Sequence, residues 1–216
     1  MKKLVIYGCG PIAEVADFYF GIDSEYEVCA FTNAAEFIDE QSFRERPVVP
    51  FEEIEQHYPA SGYEIFIAVG YAKTNQVRQQ RYSEAKKKGY ACATYISPRA
   101  TYYGTPVGDN CFILENNVIQ PFVKIGNNVT LWSGNHIGHH SVIEDHCFIS
   151  SHVVVSGLCH IHENCFLGVN STLRDNIELG KFTVASSGAI VMKNCEQRTL
   201  VRASESDYRV VKKDLI

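Results

Sequence analysis

From Val107 onward one position recurs every six residues and is always aliphatic: Val107, Ile113, Ile119, Ile125, Leu131, Ile137, Ile143, Ile149, Val155, Ile161, Leu167, Leu173, Leu179, Ala185 and Val191. At the chain's own 45% hydrophobic content such a run would arise by chance about six times in a million, so the repeat is real. Four residues after each aliphatic comes a second regular position, mostly small: Cys111, Asn117, Val123, Val129, Asn135, Ser141, Cys147, Val153, Cys159, Cys165, Ser171, Ile177, Thr183, Ala189 and Cys195. A hexad with one aliphatic and one small inward residue describes short strands wound into a three-sided parallel coil, roughly eighteen residues to the turn. Fifteen hexads then make five coils, a prism on the order of 24 Å long at the ~4.8 Å spacing of stacked strands. Five of the eight cysteines fall on the small inward position, which assigns them to packing rather than to disulfides or metal.

The first 96 residues have another rhythm. Apolar strand candidates at residues 4–7, 28–31, 65–69 and 91–96 alternate with helical or loop segments, as expected of a small α/β domain built on a Rossmann-like βαβ unit. Between the last two, Thr74 to Lys88 reads as a helix closed by Lys86-Lys87-Lys88-Gly89, cations at the negative end of the dipole followed by a glycine cap. The first strand enters Gly8-Cys9-Gly10-Pro11-Ile12-Ala13, a turn opening a helix, where backbone amides and the helix N-terminus can hold a pyrophosphate. The second strand ends in Thr32-Asn33, without the acidic residue that would hold the adenosine ribose of NAD, so a nucleotide-bearing substrate fits better than a dinucleotide cofactor. After the third strand, Gly70-Tyr71-Ala72-Lys73 adds a glycine, an aromatic face and a cation. Residues 97–106, with two prolines, form a junction between this domain (1–96) and the coil (107–196), and 197–216 serve as a C-terminal cap or tail.

A net charge of −5 argues against a nucleic-acid partner. No apolar stretch approaches the roughly eighteen residues of a membrane span, and Met1-Lys2-Lys3 runs straight into a strand, so the expectation is a cytoplasmic protein.

Seven of the eight histidines lie between His136 and His162. Zinc is the obvious competitor for such a band, but the hexad register sends the neighbouring cysteines inward, away from the imidazoles, so no metal site is expected. With eighteen residues to the coil, His139 stacks on Gly157 one strand spacing away. A glycine there makes room for the imidazole and leaves an amide free to face a carbonyl oxygen: a base and an oxyanion donor, the pair acyl transfer needs. By the same arithmetic Glu144 stacks on His162 and Asp145 on Glu163. Ser133, Ser150 and Cys147 have no base partner in the register, which disfavours a covalent acyl-enzyme.

The runs Gly134-Asn-His-Ile-Gly-His139, Ser151-His-Val-Val-Val-Ser-Gly157 and Cys165-Phe-Leu-Gly-Val-Asn-Ser-Thr172, together with Ile6-Tyr7-Gly8 and Ile67-Ala68-Val69-Gly70, resemble the hexapeptide-repeat acetyltransferases of the sialic acid O-acetyltransferase and nucleotide-amino-sugar N-acetyltransferase group. The resemblance covers nearly the whole chain. It implies a left-handed parallel β-helix behind a small α/β domain, a homotrimer, and acetyl-CoA as co-substrate without a metal. It makes His139 the general base and Gly157 the residue facing the thioester. Cys9, Gly10, Pro11, Thr32, Asn33, Gly70, Tyr71 and Lys73 would surround the nucleotide, and Val169 and Ser187 would join Gly157 along the coenzyme A channel.

Two departures stand out. Relatives often carry an acidic residue directly after the base, where this chain has His140, leaving His140, Asp145 or a group from a neighbouring subunit to orient the ring. The Gly-x-Pro-Ala segment common near the C-terminus is replaced by Leu200-Val201-Arg202-Ala203-Ser204. The expected activity is acetyl-CoA-dependent N-acetylation of a nucleotide-linked amino sugar for surface polysaccharide or glycan precursors. The alternatives are O-acetylation of a sugar such as sialic acid, a zinc-dependent hydrase, and a non-catalytic scaffold.

Overall fold

The computed structural model describes residues 1–204; the rest of the expected C-terminal tail, residues 205–216, lies outside the described residues. The N-terminal domain runs β1 (Lys2–Tyr7), α1 (Pro11–Asp23), β2 (Tyr26–Asn33), β3 (Ser42–Phe43), β4 (Arg46–Pro50), α2 (Ile54–His57), β5 (Glu64–Ile67) and α3 (Gln76–Lys87). Its sheet has the order β3-β4-β2-β1-β5, parallel except between β3 and β4. Central β1 is apolar on both faces, and Leu4, Val5 and Ile6 are completely buried, as a doubly covered parallel strand requires. Helix α1 starts at Pro11, whose fixed φ suits a first helical position, and turns Ala13, Ala16 and Phe20 into the core. The β3–β4 pair was not anticipated: Pro47 and Pro50 break the alternation by which a strand is read, yet Val48 pairs with Phe31 and Val49 with Thr32.

The expected fourth strand at 91–96 divides between the two domains. Cys92 bridges Ile65 of the sheet, whereas Tyr95–Ile96 pairs with Phe112–Ile113 and Thr101–Tyr102 with Val118–Ile119. The coil therefore begins before Val107, and the two-proline junction is its first rung.

The coil has three faces. The first stacks strands from Tyr95–Ile96 to Leu200–Val201, the second from Thr101–Tyr102 to Ile190–Val191, and the third from Lys124–Ile125 to Glu178–Leu179. Through the repeat region strand partners are eighteen residues apart, as in Thr130 with Phe148 and Val142 with His160. The aliphatic positions from Ile113 to Val191 are all buried, while Val107 at the open end is only partly covered. Polar residues at the small inward position spend their groups on the coil's own backbone. Asn117 Nδ2 donates to the Leu114 and Trp132 carbonyls, Asn135 Oδ1 accepts from Val153 N–H, and Ser141 Oγ donates to the Ser156 carbonyl.

Each corner turns on a residue in the left-handed region. That residue lies three before each aliphatic, from Asn110 to Gly188, with φ between 52° and 82°. Asparagine is the commonest residue there, since asparagine and histidine are enriched among non-glycine residues in that region. His140, His146 and His152 occupy three consecutive such corners, so the turn itself accounts for part of the histidine band.

The N-terminal domain docks on the first face. Phe112 and Leu114 join the core of Leu4, Phe20 and Phe66, and the Tyr71 ring lies 5.1 Å from Phe148 and 4.7 Å from Phe166. Helix α3 then threads polar groups into the corner between the first and third faces. Asn75 Nδ2 donates to the Asn164 and Cys165 carbonyls, and the fully buried Arg78 guanidinium donates to the Asn128, His146 and Cys147 carbonyls and to that of Gly70. Burial lowers the Arg78 pKa to about 10, which leaves it charged at neutral pH. Arg78→Ala strands these carbonyls, each costing about 1–3 kcal/mol when buried and unmet. Allowing for partial rehydration, urea denaturation followed by circular dichroism is expected to give a stability loss of about 2–4 kcal/mol. Arg78→Lys should recover only part of it, since an ammonium cannot fork to several carbonyls at once.

Candidate functional site

The corner between the second and third faces carries His139 on its exposed surface. A Cβ built on Gly157 would stand 2.8 Å from both Cε1 and Nε2 of His139, so the imidazole lies directly over that glycine. One residue earlier, a Cβ on Gly138 would meet Gly157 N at 2.5 Å, so the two coils close backbone to backbone at this corner. His139 N–H donates to Gln120 Oε1 at 2.9 Å. Its Nδ1 faces Nδ1 of His140 at 3.1 Å, and the His140 ring rests on Phe122, 4.6 Å between centroids. One proton fits between the two Nδ1 atoms; carried by His139, it leaves Nε2 with the bare lone pair a general base uses.

Two expectations about this corner need correction. Asp145 does not orient the base: six residues on is the next corner of the prism, and there its carboxylate accepts from Asn127 N–H at 2.7 Å and faces Asn127 Nδ2. The Gly157 amide is not free either. It donates to Asp175 Oδ1 at 3.0 Å, from one coil further on.

The remaining histidines and cysteines sort by their hexad positions. His146 is buried, with Nδ1 2.9 Å from Asn128 Nδ2, and burial lowers its pKa, so it serves the turn. His160 and His162 gather around Glu144 on the third face. Cys111, Cys147, Cys159 and Cys165 are buried, and burial pushes the Cys147 thiol well above its usual pKa, which leaves it a poor nucleophile. Ser133 Oγ donates to Glu115 Oε1.

On the N-terminal domain a cleft of about 600 Å³ is lined by Cys9, Gly10 and Asn33 together with Phe37, Ile38, Asp39, Glu40, Ser42, Phe43 and Val48. Pro11 opens α1 beside it. Thr32 does not reach a ligand: it is fully buried and its hydroxyl donates to the Val49 carbonyl. Gly70, Tyr71 and Lys73 are not among the cleft's lining residues. Gly70 lies against Ile12, Tyr71 packs on the coil, and Lys73 takes φ 50° in the turn leading to Asn75. The cleft's far wall, residues 37–43, was missed because it belongs to the unanticipated segment between β2 and β4. Its signal was the apolar pairing of Phe37-Ile38 and Phe43 around Asp39-Glu40.

Val169 and exposed Ser187 sit on the corner between the first and second faces, at the opposite edge of the second face from His139. One chain does not bring them together with Gly157. Between those edges the second face presents Val118 and Val154, each over a third exposed, and Ile190, 66% exposed, alternating with Thr101, His136 and Thr172.

Residues 105–139 and 123–157 match the bacterial transferase hexapeptide family (six repeats), and residues 160–192 match the hexapeptide repeat of succinyl-transferase. The hexapeptide period of the coil is thus matched over residues 105–157 and 160–192. A curated relative, the bifunctional protein GlmU of Latilactobacillus sakei subsp. sakei (strain 23K), is 32% identical over 114 residues; these are 52% of this chain, which spans about a quarter of that protein's length (24%). Among solved structures, the acetyltransferase domain of PglB from Neisseria gonorrhoeae FA1090 superposes with a TM-score of 0.83 at 20% identity, covering 94% of this chain and 97% of that one. A mutant perosamine N-acetyltransferase from Caulobacter crescentus, solved with CoA and GDP-perosamine, gives 0.83 at 19% identity and 94% of each chain. WeeI from Acinetobacter baumannii AYE gives 0.72 at 17%, with 94% and 97% covered. These likenesses establish the fold, a small α/β domain followed by a left-handed parallel β-helix of hexapeptide repeats.

Because the atoms a new methyl would strike at Gly157 belong to the end of a side chain, Gly157→Ala should cost less than about 1 kcal/mol. It should nevertheless drive the His139 ring off the hexapeptide corner, read as a displaced His139 Cε1–H resonance beside a nearly unchanged melting temperature.

Proposed function

We propose that the protein is an acetyl-CoA-dependent N-acetyltransferase that acts on an amino sugar carried on a nucleotide, in the cytoplasmic supply of surface polysaccharide or glycan precursors. The observation that carries this reading is the His139 imidazole lying over Gly157 at an exposed corner. The cleft at Cys9, Gly10 and Asn33 supports a nucleotide, with the N-terminus of α1 available to a pyrophosphate. The structural neighbours support the substrates, since the PglB domain was also solved with acetyl coenzyme A and the Caulobacter enzyme with CoA and GDP-perosamine.

In this mechanism the sugar amine attacks the thioester carbon while His139 Nε2 takes its proton. The thioester oxygen replaces the exposed Asp175 carboxylate at the Gly157 amide, which then steadies the tetrahedral oxyanion. The C–S bond breaks, and the departing coenzyme A thiolate collects the proton from the imidazolium. His140 is the positioning residue, holding the His139 ring through the shared Nδ1 proton. The N-terminal domain covers the first face and His139 points from the corner opposite it, so the complete site is built from two copies. A homotrimer closed through the second face, with Val118, Val154 and Ile190 in the contact, supplies this arrangement and carries Val169 and Ser187 of one copy toward Gly157 of another.

His139→Asn is expected to lower turnover by about 10²–10⁴-fold with acetyl-CoA affinity retained in calorimetry; near-normal turnover would overturn the base assignment. Offered nucleotide-linked amino and hydroxy sugars in parallel, the enzyme should release coenzyme A with the amino sugars alone. Sedimentation velocity should find three chains per particle, and Val154→Arg on the second face should yield monomers without activity.

A further inference from the structure

Acetyl transfer makes no use of the polar cluster on the third face. His160 and His162 are two residues apart where a strand meets its corner, so they project to the same side, with ring centroids 4.1 Å apart and planes inclined by 25°. Glu144, from the preceding coil, reaches between them: its Oε1 lies 2.7 Å from His160 Nε2 and 3.1 Å from His162 Nδ1. Two of the three groups are also held from behind. Glu144 Oε2 accepts from Glu163 N–H at 3.2 Å, and His162 Nε2 is 2.8 Å from Glu178 Oε1. Two imidazole nitrogens and a carboxylate oxygen thus converge within 4.8 Å of one another. Glu144 and His162 stand at the wall of a groove of about 510 Å³, which Lys124 also lines; there Lys181 pairs with Glu163, and Asp145 accepts from Asn127.

We propose that Glu144, His160 and His162 bind one divalent cation of the zinc class, with Glu178 fixing the His162 ring from outside. Two nitrogens and one carboxylate suit a borderline transition ion, whereas calcium and magnesium call for oxygen ligands. A carboxylate behind a ligating imidazole takes the N–H of the other ring nitrogen and aims the lone pair at the metal, and Glu178 stands where that partner belongs. Three protein ligands leave a fourth position to water, toward the groove. Protons and the metal compete for the same atoms. Burial works against a charged His162, but the hydrogen bonds to Glu178 and Glu144 outweigh it and raise its pKa. Burial likewise opposes ionised Glu144, and its bonds to His160 and His162 prevail and lower its pKa. A bound ion replaces the Nδ1 proton of His162 and ties the coil of Glu144 to the next from outside. The inference is independent of the proposed acetyl transfer.

The test is calorimetric titration of zinc sulfate into the full chain after treatment with a chelator. One zinc per chain is expected, with a melting temperature that rises with zinc concentration by mass action. Glu144→Gln, His160→Ala and His162→Ala should abolish stoichiometric binding, and Glu178→Gln should weaken it about 10–100-fold, all with unchanged circular dichroism. The facing His139–His140 pair is the internal control, and His139→Asn should bind zinc as the parent does. Binding that survives His160→Ala and His162→Ala but is lost in His139→Asn would put the ion elsewhere and overturn the proposal. An absence of saturable binding at millimolar zinc would overturn it equally, leaving only an ion-paired cluster.

Discussion

Closure of the three-sided coil governs everything else in this molecule. Every eighteen residues the chain must return to its starting angle one strand spacing further along, so side chains at n and n+18 form columns. Each corner must also present its turn amides to something. Asp109 N–H donates to Asn127 Oδ1, Asn127 N–H to Asp145 Oδ1, and Gly157 N–H to Asp175 Oδ1. The Asp175 contact at the proposed oxyanion donor is therefore one instance of a general corner device. An exposed carboxylate whose hydrogen bond is worth about 1 kcal/mol net can yield to a thioester oxygen at modest cost.

The three faces differ because each meets a different environment. Aromatic residues along the first face, Phe112, Phe148 and Phe166, meet the N-terminal domain, and Arg78 locks that contact by binding corner carbonyls that would otherwise be buried without donors. The second face, bare in one chain, alternates exposed aliphatics with Thr101, His136 and Thr172, and the third is charged. Docking on the first face leaves His139 on the far corner of the prism. The same packing thus separates the cleft at Cys9, Gly10 and Asn33 from His139 within one chain, and the proposed assembly is what would reunite them.

Much of this was legible before any coordinates. The aliphatic column, the inward cysteines and the stacking of His139 on Gly157 follow from counting by six and by eighteen, because backbone closure permits few alternatives. The same counting, carried further, excludes Asp145, which six residues after His139 must fall on another corner. The occupant of the Gly157 amide was less accessible: Asp175 stands eighteen residues on, but whether its short side chain turns back to the amide depends on a rotamer. The wall of the cleft was hidden for a different reason, since Pro47 and Pro50 erase the strand pattern of the segment that positions it. Thr32 looked available at the end of β2 although its hydroxyl faces Val49 across the sheet, a pairing invisible without β4.

The histidine band illustrates why position in the hexad outranks composition. Seven imidazoles crowd into 27 residues, yet they serve separate physical demands. His140, His146 and His152 sit where the backbone needs a residue tolerant of positive φ, and only the first of them also faces His139. His136 and His160 point outward from strands on different faces, so the hydrogen bonds available to one are closed to the other. His139 is set apart by the missing side chain beneath it, and His162 by glutamates on both sides. A function assigned to the band as a whole would have merged the proposed base, several turn residues and the proposed metal ligands into one site that the winding of the chain does not allow.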